Sequence, residues 1–268
     1  MNEAPVGIFD SGFGGLSVWK ECKALLPKEQ FIYIADQAYC PYGPKSQEAI
    51  LQRGRELSHF FIQKGVKLIV IACNTATAAA IKQLREEFPI PFVGMEPAIK
   101  PAALASKTGH IGILATAGTF AGQHFKNTRE KFAQDVELHI QVGEGLVELV
   151  ESGKIKGAEC RAVLEPFLLP MKDKRIDQLV LGCTHYPFLS KAISDILGNK
   201  VNLIDPAPAV ARQLKRLLIE KKQMNKSPEK GIDIFFTTAS LTSSQLTLKR
   251  LEDIIGVEIN LSALSLED

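Results

Sequence analysis

The chain has 268 residues, a formal net charge of +2, 46% hydrophobic residues and 23% charged residues. That balance excludes a strongly basic nucleic-acid surface and an acidic tail, and the mixture is that of a globular chain. No apolar run reaches the ~18 residues of a transmembrane helix, the first residues lack a secretory signal pattern, and five irregularly spaced cysteines form no disulfide framework, so free thiols in a reducing compartment are expected.

In chain order, short apolar runs alternate with segments of helical period. A strand at 5–9 leads to a helix at 15–26, a strand at 31–35 to a helix at 46–64, and a strand at 67–72 to a helix at 75–88. A short strand at 91–94 gives way to a Pro-bounded helix after Pro97. A strand at 110–115, a helix at 121–133 and a strand at 136–142 follow, then a helical run from Leu146 to Val150 and a helix at 156–169. Next come a strand at 176–181, a helix at 187–197, a strand at 201–204 and a helix at 207–222. The polar stretch 221–231 reads as a surface loop before a strand at 232–236 and a final helix. This rhythm predicts an α/β fold, and the almost wholly apolar central strands predict parallel sheets covered on both faces.

Length alone suggests about two domains of ~150 residues. Breaks are expected near Met95-Glu96-Pro97 and near Asp205-Pro206-Ala207-Pro208. The C-terminal strand and helix are too small to bury a core alone. They are therefore assigned to the first domain, giving 1–96 with 207–268, and 97–206 as the second. A weak internal repeat supports two similar halves. Val6-Gly7-Ile8-Phe9 resembles Ile111-Gly112-Ile113-Leu114, and each is followed by small polar residues. Leu68 to Thr75 resembles Leu179 to His185, and each segment carries a cysteine, Cys73 or Cys183, at its strand end. Two such α/β halves facing each other would bring both strand ends to one cleft.

Cys73 and Cys183 are the first candidates for chemistry. Each closes an apolar strand just before a helix, where open α/β sheets bind ligands. Amides at a helix start also stabilise a thiolate. Cys22 and Cys160 instead fit small buried hydrophobes. A redox couple would ordinarily use C-x-x-C, which is absent, and Cys183-x-His185 alone does not make a closed metal site. Two-base proton transfer at a stereocentre does require groups on opposite faces of a planar intermediate. Asp10-Ser11-Gly12-Phe13-Gly14-Gly15 can be read as a degraded dinucleotide fingerprint with Asp36 as its ribose acid. Ser17 in the third glycine position and the charge of Asp10 count against that. Pro41-Tyr42-Gly43 is a loop after the second strand that composition leaves open between a plain turn and a functional one, Glu151 reads as a solvated helix end, and His185 as a group able to tune a thiol. His59, His110, His124 and His139 show no partner pattern and read as structural or exposed.

Asp-Ser-Gly-x-Gly-Gly at 10–15, Pro-Tyr-Gly at 41–43, Ala-Cys-Asn-Thr-Ala at 72–76 and Gly-Cys-Thr-His-Tyr-Pro at 182–187 together resemble the glutamate racemases. These belong to the cofactor-independent aspartate/glutamate racemase superfamily. The resemblance covers essentially the whole chain in order. The two cysteine motifs mark the superfamily, and Asp-Ser-Gly with Pro-Tyr-Gly points to the glutamate enzymes.

The resemblance implies two pseudo-symmetric domains, each a mostly parallel sheet flanked by helices, with the active site between them. It implies Cys73 as the base toward D-glutamate and Cys183 as the base toward L-glutamate, each the acid in the other direction. Asp10 would assist Cys73, and His185 would assist Cys183. Asp10 and Ser11 would hold the ammonium. Asn74, Thr75, Thr184 and the backbone of Pro41, Tyr42 and Gly43 would hold carboxylates, joined by Thr116 and Thr119 of an Ala-Thr-x-x-Thr pattern. Asp36 and Glu151 match acidic residues of the active-site region. It implies a small-molecule substrate, no cofactor, no metal, no nucleic acid and no membrane, and it leaves room for a homodimer. The implied role is cytoplasmic supply of D-glutamate for peptidoglycan and cell shape. The alternatives are another superfamily racemase acting on aspartate and a non-catalytic amino-acid-binding module. Cys40 departs from the motif and is expected to make the protein oxidation-sensitive; equal peroxide inactivation of Cys40→Ser would contradict that. The chain lacks the N-terminal extension associated with activation by a peptidoglycan precursor, so no such activation is expected.

Overall fold

A computed structural model describes residues 3–266. The chain opens with β1 (Val6–Asp10), α1 (Leu16–Leu25), β2 (Phe31–Ala35), α2 (Gln47–Gln63), β3 (Leu68–Ile71), α3 (Asn74–Glu87) and β4 (Phe92–Gly94). The middle stretch supplies α4 (Ile99–Ala105), β5 (His110–Ala115), α5 (Ala117–Ala121), α6 (Gln123–Phe132), β6 (Glu137–Val142) and α7 (Leu146–Glu151). It continues through α8 (Gly157–Asp173), β7 (Gln178–Gly182), α9 (Ser190–Leu197) and β8 (Asn202–Ile204). Then come α10 (Ala207–Glu220), β9 (Ile234–Thr237), α11 (Leu241–Ile255) and β10 (Leu261–Ala263).

The strands form two sheets, ordered β10-β9-β2-β1-β3-β4 and β6-β5-β7-β8. All their ladders are parallel, so each return crosses over through a helix. The protein is therefore α/β with helices on both faces of mostly parallel sheets. The repeat seen in the sequence has a matching register. Ile8 pairs with Val70 between β1 and β3, and Ile113 pairs with Val180 between β5 and β7. Three residues past each partner stands a cysteine, Cys73 or Cys183. Both thiols thus leave the carboxyl end of a strand beside the central strand of its sheet.

Burial explains the layers. One face of the six-stranded sheet, with Val6, Ile8, Tyr33 and Val70, packs on Trp19 and Cys22 of α1, Leu214 and Leu218 of α10 and Leu251 of α11. The same apolar cluster continues into Leu179 and Leu181 of β7 and Leu164 and Leu168 of α8. The opposite face, with Phe9, Ile34 and Ile71, lies under Leu57 and Phe61 of α2 and Ala80 and Leu84 of α3. Ile111, Ile113 and Val180 pack against Ile99 of α4 and Phe125 of α6.

Local differences from the sequence expectations have physical causes. α8 runs past 169 to Asp173 although Pro166 and Pro170 lie inside it. Its buried stripe of Cys160, Leu164, Leu168 and Met171 outweighs two missing N–H donors. The expected elements do not include α5 or β10: five residues are too few for a helical period, and β10 buries only Leu261 of its three residues. Among the described residues, no helix is long and apolar enough to cross a membrane.

Candidate active site

A cavity of about 270 Å³ lies where the carboxyl ends of the two sheets meet. That is the size of a small metabolite, just under the roughly 300–1,000 Å³ of drug-sized pockets. Cys73, Asn74 and Thr75 line it from the start of α3, and Cys183, Thr184 and His185 from the loop after β7. Ser11, Pro41, Tyr42, Gly43 and Thr116 complete the polar wall, and Val142 to Gly145 with Val147 and Glu148 the other side. Both cysteines are buried. Among the described residues no Lys or Arg lines the cavity, so an anion there relies on hydroxyls, amides, helix starts and the His185 imidazole.

The two thiols have different neighbours. Cys73 caps α3, its Sγ accepting from the Ala76 amide at 3.4 Å, with Ser11 Oγ 4.0 Å away. Burial pushes this thiol well above its ordinary range, and the charge of Asp10 adds to that. Cys183 Sγ instead lies 3.7 Å from His185 Nδ1, and His185 Nε2 lies 2.7 Å from Glu151 Oε1. Burial alone would lower the imidazole, but its bonds to Cys183, Cys40 and Glu151 raise it well above its usual range. Glu151 shows the complement: burial would raise its carboxyl, and the bond and charge of His185 bring it below its usual value. One thiol thus faces a held imidazolium, and the other is kept neutral.

The glycine-rich loop does not await a phosphate. The Gly15 and Gly12 amides donate to Asp10 Oδ2 at 2.8 and 3.2 Å, and the Phe13 amide donates to Glu151 Oε1 at 2.7 Å. A Cβ on Gly14 would strike the His185 ring, and one on Gly12 would strike the Glu151 carboxylate. The loop's small residues therefore admit the protein's own acid and imidazole, which removes the dinucleotide reading. Glu151 is not a solvated helix end either. Its carboxylate also takes Gln37 Nε2 at 2.8 Å, and its side chain is only 15% exposed.

Several expected site residues stand behind the cavity wall. Asp10 is fully buried, and its Oδ1 accepts from Thr184 Oγ1 at 3.3 Å. Burial pushes its carboxyl up, against the lowering charge of His185. Asp36 does not face the cavity: it holds Arg53 through two bonds of 2.8 and 2.7 Å and accepts from Tyr42 Oη at 2.6 Å and Thr238 Oγ1 at 2.9 Å. Thr119 also lies off the cavity, its Oγ1 2.9 Å from that of Thr116. Thr116 in turn meets Thr75 Oγ1 at 2.8 Å, joining the starts of α5 and α3 across the cleft.

Residues that the sequence reading passed over also matter. Glu148 and Val147 reach the cavity because α7 presents one side to it, a helix too short to show a clear period. Cys40 bonds His185, and burial pushes its thiol up to about 11. A thiol so raised carries little thiolate at neutral pH, which weighs against the oxidation expected of it. His110, His124 and His139 do have partners. His110 Nδ1 lies 3.1 Å from His139 Nε2, and His124 Nε2 lies 2.5 Å from Glu96. Those contacts pair residues distant in sequence, which local patterning does not reveal.

Residues 14–214 match the family model of the Asp/Glu/hydantoin racemases. A glutamate racemase of Stutzerimonas stutzeri strain A1501 is 48% identical over 219 residues, covering 81% of this chain and 83% of that protein. The crystal structure of the glutamate racemase isoform RacE1 from Bacillus anthracis superposes with a TM-score of 0.88 at 34% identity, covering 99% of both chains. The glutamate racemase of Francisella tularensis, solved in complex with D-glutamate, gives 0.84 at 31% identity over 100% of this chain and 99% of that one.

Proposed function

The chain belongs to the Asp/Glu/hydantoin racemase family of isomerases, and on that premise we propose that it interconverts L- and D-glutamate by a cofactor-independent two-base reaction. The observation that carries this reading is the pair of thiols in matching register, Cys73 and Cys183, both opening on one cavity. Cys183 takes the α-proton of L-glutamate, with His185 and Glu151 compensating the charge relay, and the neutral thiol of Cys73 delivers a proton to the opposite face. The reverse reaction exchanges the two roles.

The α-proton is very weakly acidic, so the carbanion-like intermediate needs a dry, preorganised site. The hydroxyls of Thr75, Thr116 and Thr184 and the amides at the start of α3 supply fixed donors for the carboxylates. Ser11 lines the cavity beside Cys73 and offers its hydroxyl to the ammonium. Asp10 acts from behind the wall, by holding the glycine-rich loop and Thr184. Binding of the remote carboxylate supplies energy for positioning. The products suit cytoplasmic supply of D-glutamate to the cell wall, and five free cysteines accord with a reducing compartment. We read the chain as two units, 1–96 with 207–268 and 97–206, closing on the substrate.

Circular dichroism of L-glutamate with the purified protein, without added cofactor, tests the reading. Decay of the signal to zero is expected. Cys73→Ala and Cys183→Ala should each slow it at least about 10²–10⁴-fold, the usual weight of a general acid or base. A stable signal with glutamate but decay with aspartate would move the substrate. No decay with either would leave a binding module.

A further inference from the structure

We propose that His110, Glu137 and His139 form a binding site for a borderline divalent cation such as Zn²⁺, at the end of the four-stranded sheet away from the cleft. The sequence puts all three on one face of the β5–β6 ladder. In register, His110 pairs with Glu137 and Gly112 with His139, and side chains two apart in a strand share a face. His110 and Glu137 are the first residues of their strands. The cavity lies beyond the last residue of β5, five positions further on, or about 17 Å at ~3.3 Å per residue.

The donor atoms are spaced as ligands of one ion. With Zn–N and Zn–O near 2.0–2.2 Å, a tetrahedral angle sets neighbouring ligand atoms about 3.3–3.5 Å apart. His110 Nδ1 and His139 Nε2 are 3.1 Å apart, and Glu137 oxygens lie 3.5 and 3.8 Å from them. Each of the three side chains places one candidate ligand atom within 4.8 Å of those of the other two. The imidazole planes differ by 28°, and the soft outer torsion of histidine lets both turn toward that point. Glu137 is 63% exposed and His110 37%, so an ion has an entry path, while His139 at 12% is held from below. Two imidazoles and a carboxylate suit zinc, nickel or copper better than magnesium or calcium. An ion there would tie the edge strand β6 to β5 where their pairing begins, with the Glu137 amide donating to Gly109 O at 2.7 Å. It would act on stability and leave the cleft chemistry alone.

Titration of the reduced protein with Co²⁺, read by absorption and thermal melting, tests this. The expected result is one cobalt per chain, with d–d bands, no sulfur-to-cobalt charge-transfer band at the first equivalent, and a raised Tm. Loss of an outer partner already costs about 10–100-fold in metal affinity, so His110→Ala and His139→Ala should each weaken binding by at least ~100-fold while racemisation is unchanged. Glu137→Gln should weaken it by about 10-fold or more. Absence of binding, binding indifferent to these substitutions, or a sulfur charge-transfer band at the first equivalent would overturn the proposal, the last by placing the ion on the cysteines of the cleft.

Discussion

His185 and Glu151 form the buried ion pair beside Cys183. Bonds to Cys183, Cys40 and Glu151 raise the imidazole, His185 lowers the Glu151 carboxyl across their 2.7 Å contact, and the sign of each effect on stability follows. The depressed Glu151 contributes stability above its unfolded pKa near ~4.3 and loses it as pH falls through the folded value. The raised His185 contributes fully below ~6.5 and loses its share as pH rises through its folded value. Glu151→Gln should therefore lower Tm most between about pH 4.5 and 6.5, with the difference shrinking on either side. The same substitution removes the anion that keeps the imidazole charged, so the alkaline fall in activity should begin at lower pH than in the wild type. An unchanged profile would separate Glu151 from the reaction. His185 was legible as a tuning group because it stands two residues from Cys183. Its partner Glu151 was placed in the active-site region by resemblance alone, since 34 residues of chain separate the two.

At the scale of elements, the Asp36–Arg53 pair shows how the scaffold holds the cleft. Asp36 follows β2, Arg53 lies in α2, Tyr42 stands in the loop between them, and Thr238 follows β9. One carboxylate thus fixes three segments, with Arg53 only 9% exposed and Asp36 fully buried. Removing one partner of such a pair typically costs ~3–5 kcal/mol, and Asp36→Ala should fall toward the lower end because Arg53 keeps its 2.7 Å contact with Glu56. Asp36→Ala should lose about that much stability in urea melts and raise KM through a displaced Tyr42 loop. Abolished turnover with unaltered stability would instead make Asp36 a proton-transfer group. Strands and long helices were readable because apolar period records burial. The role of Asp36 was not, because an acid at a strand end looks alike whether it meets substrate or arginine.

For the whole molecule, two sheets place equivalent strand ends against one cavity, and the thiols inherit that symmetry while their neighbours break it. The repeat was visible in the sequence as two cysteine-terminated strands. The pairing of Ile8 with Val70 and of Ile113 with Val180 was not, since register depends on which strands adjoin. The asymmetry between a capped neutral thiol and one facing an imidazolium cannot alter the equilibrium, because enantiomers have equal free energy. Values of kcat/KM in the two directions must therefore match, and the asymmetry can appear only in kcat and KM moving together. In the proposed reaction two different cysteines serve the two faces of the substrate. L-Glutamate turned over in deuterium oxide and sampled at early conversion tests it most directly. Deuterium is expected at Cα in the D-glutamate formed, with hydrogen retained in the recovered L-glutamate. Deuterium entering recovered substrate as fast as product, or product that keeps its original proton, would mean a single base serving both faces and would contradict it.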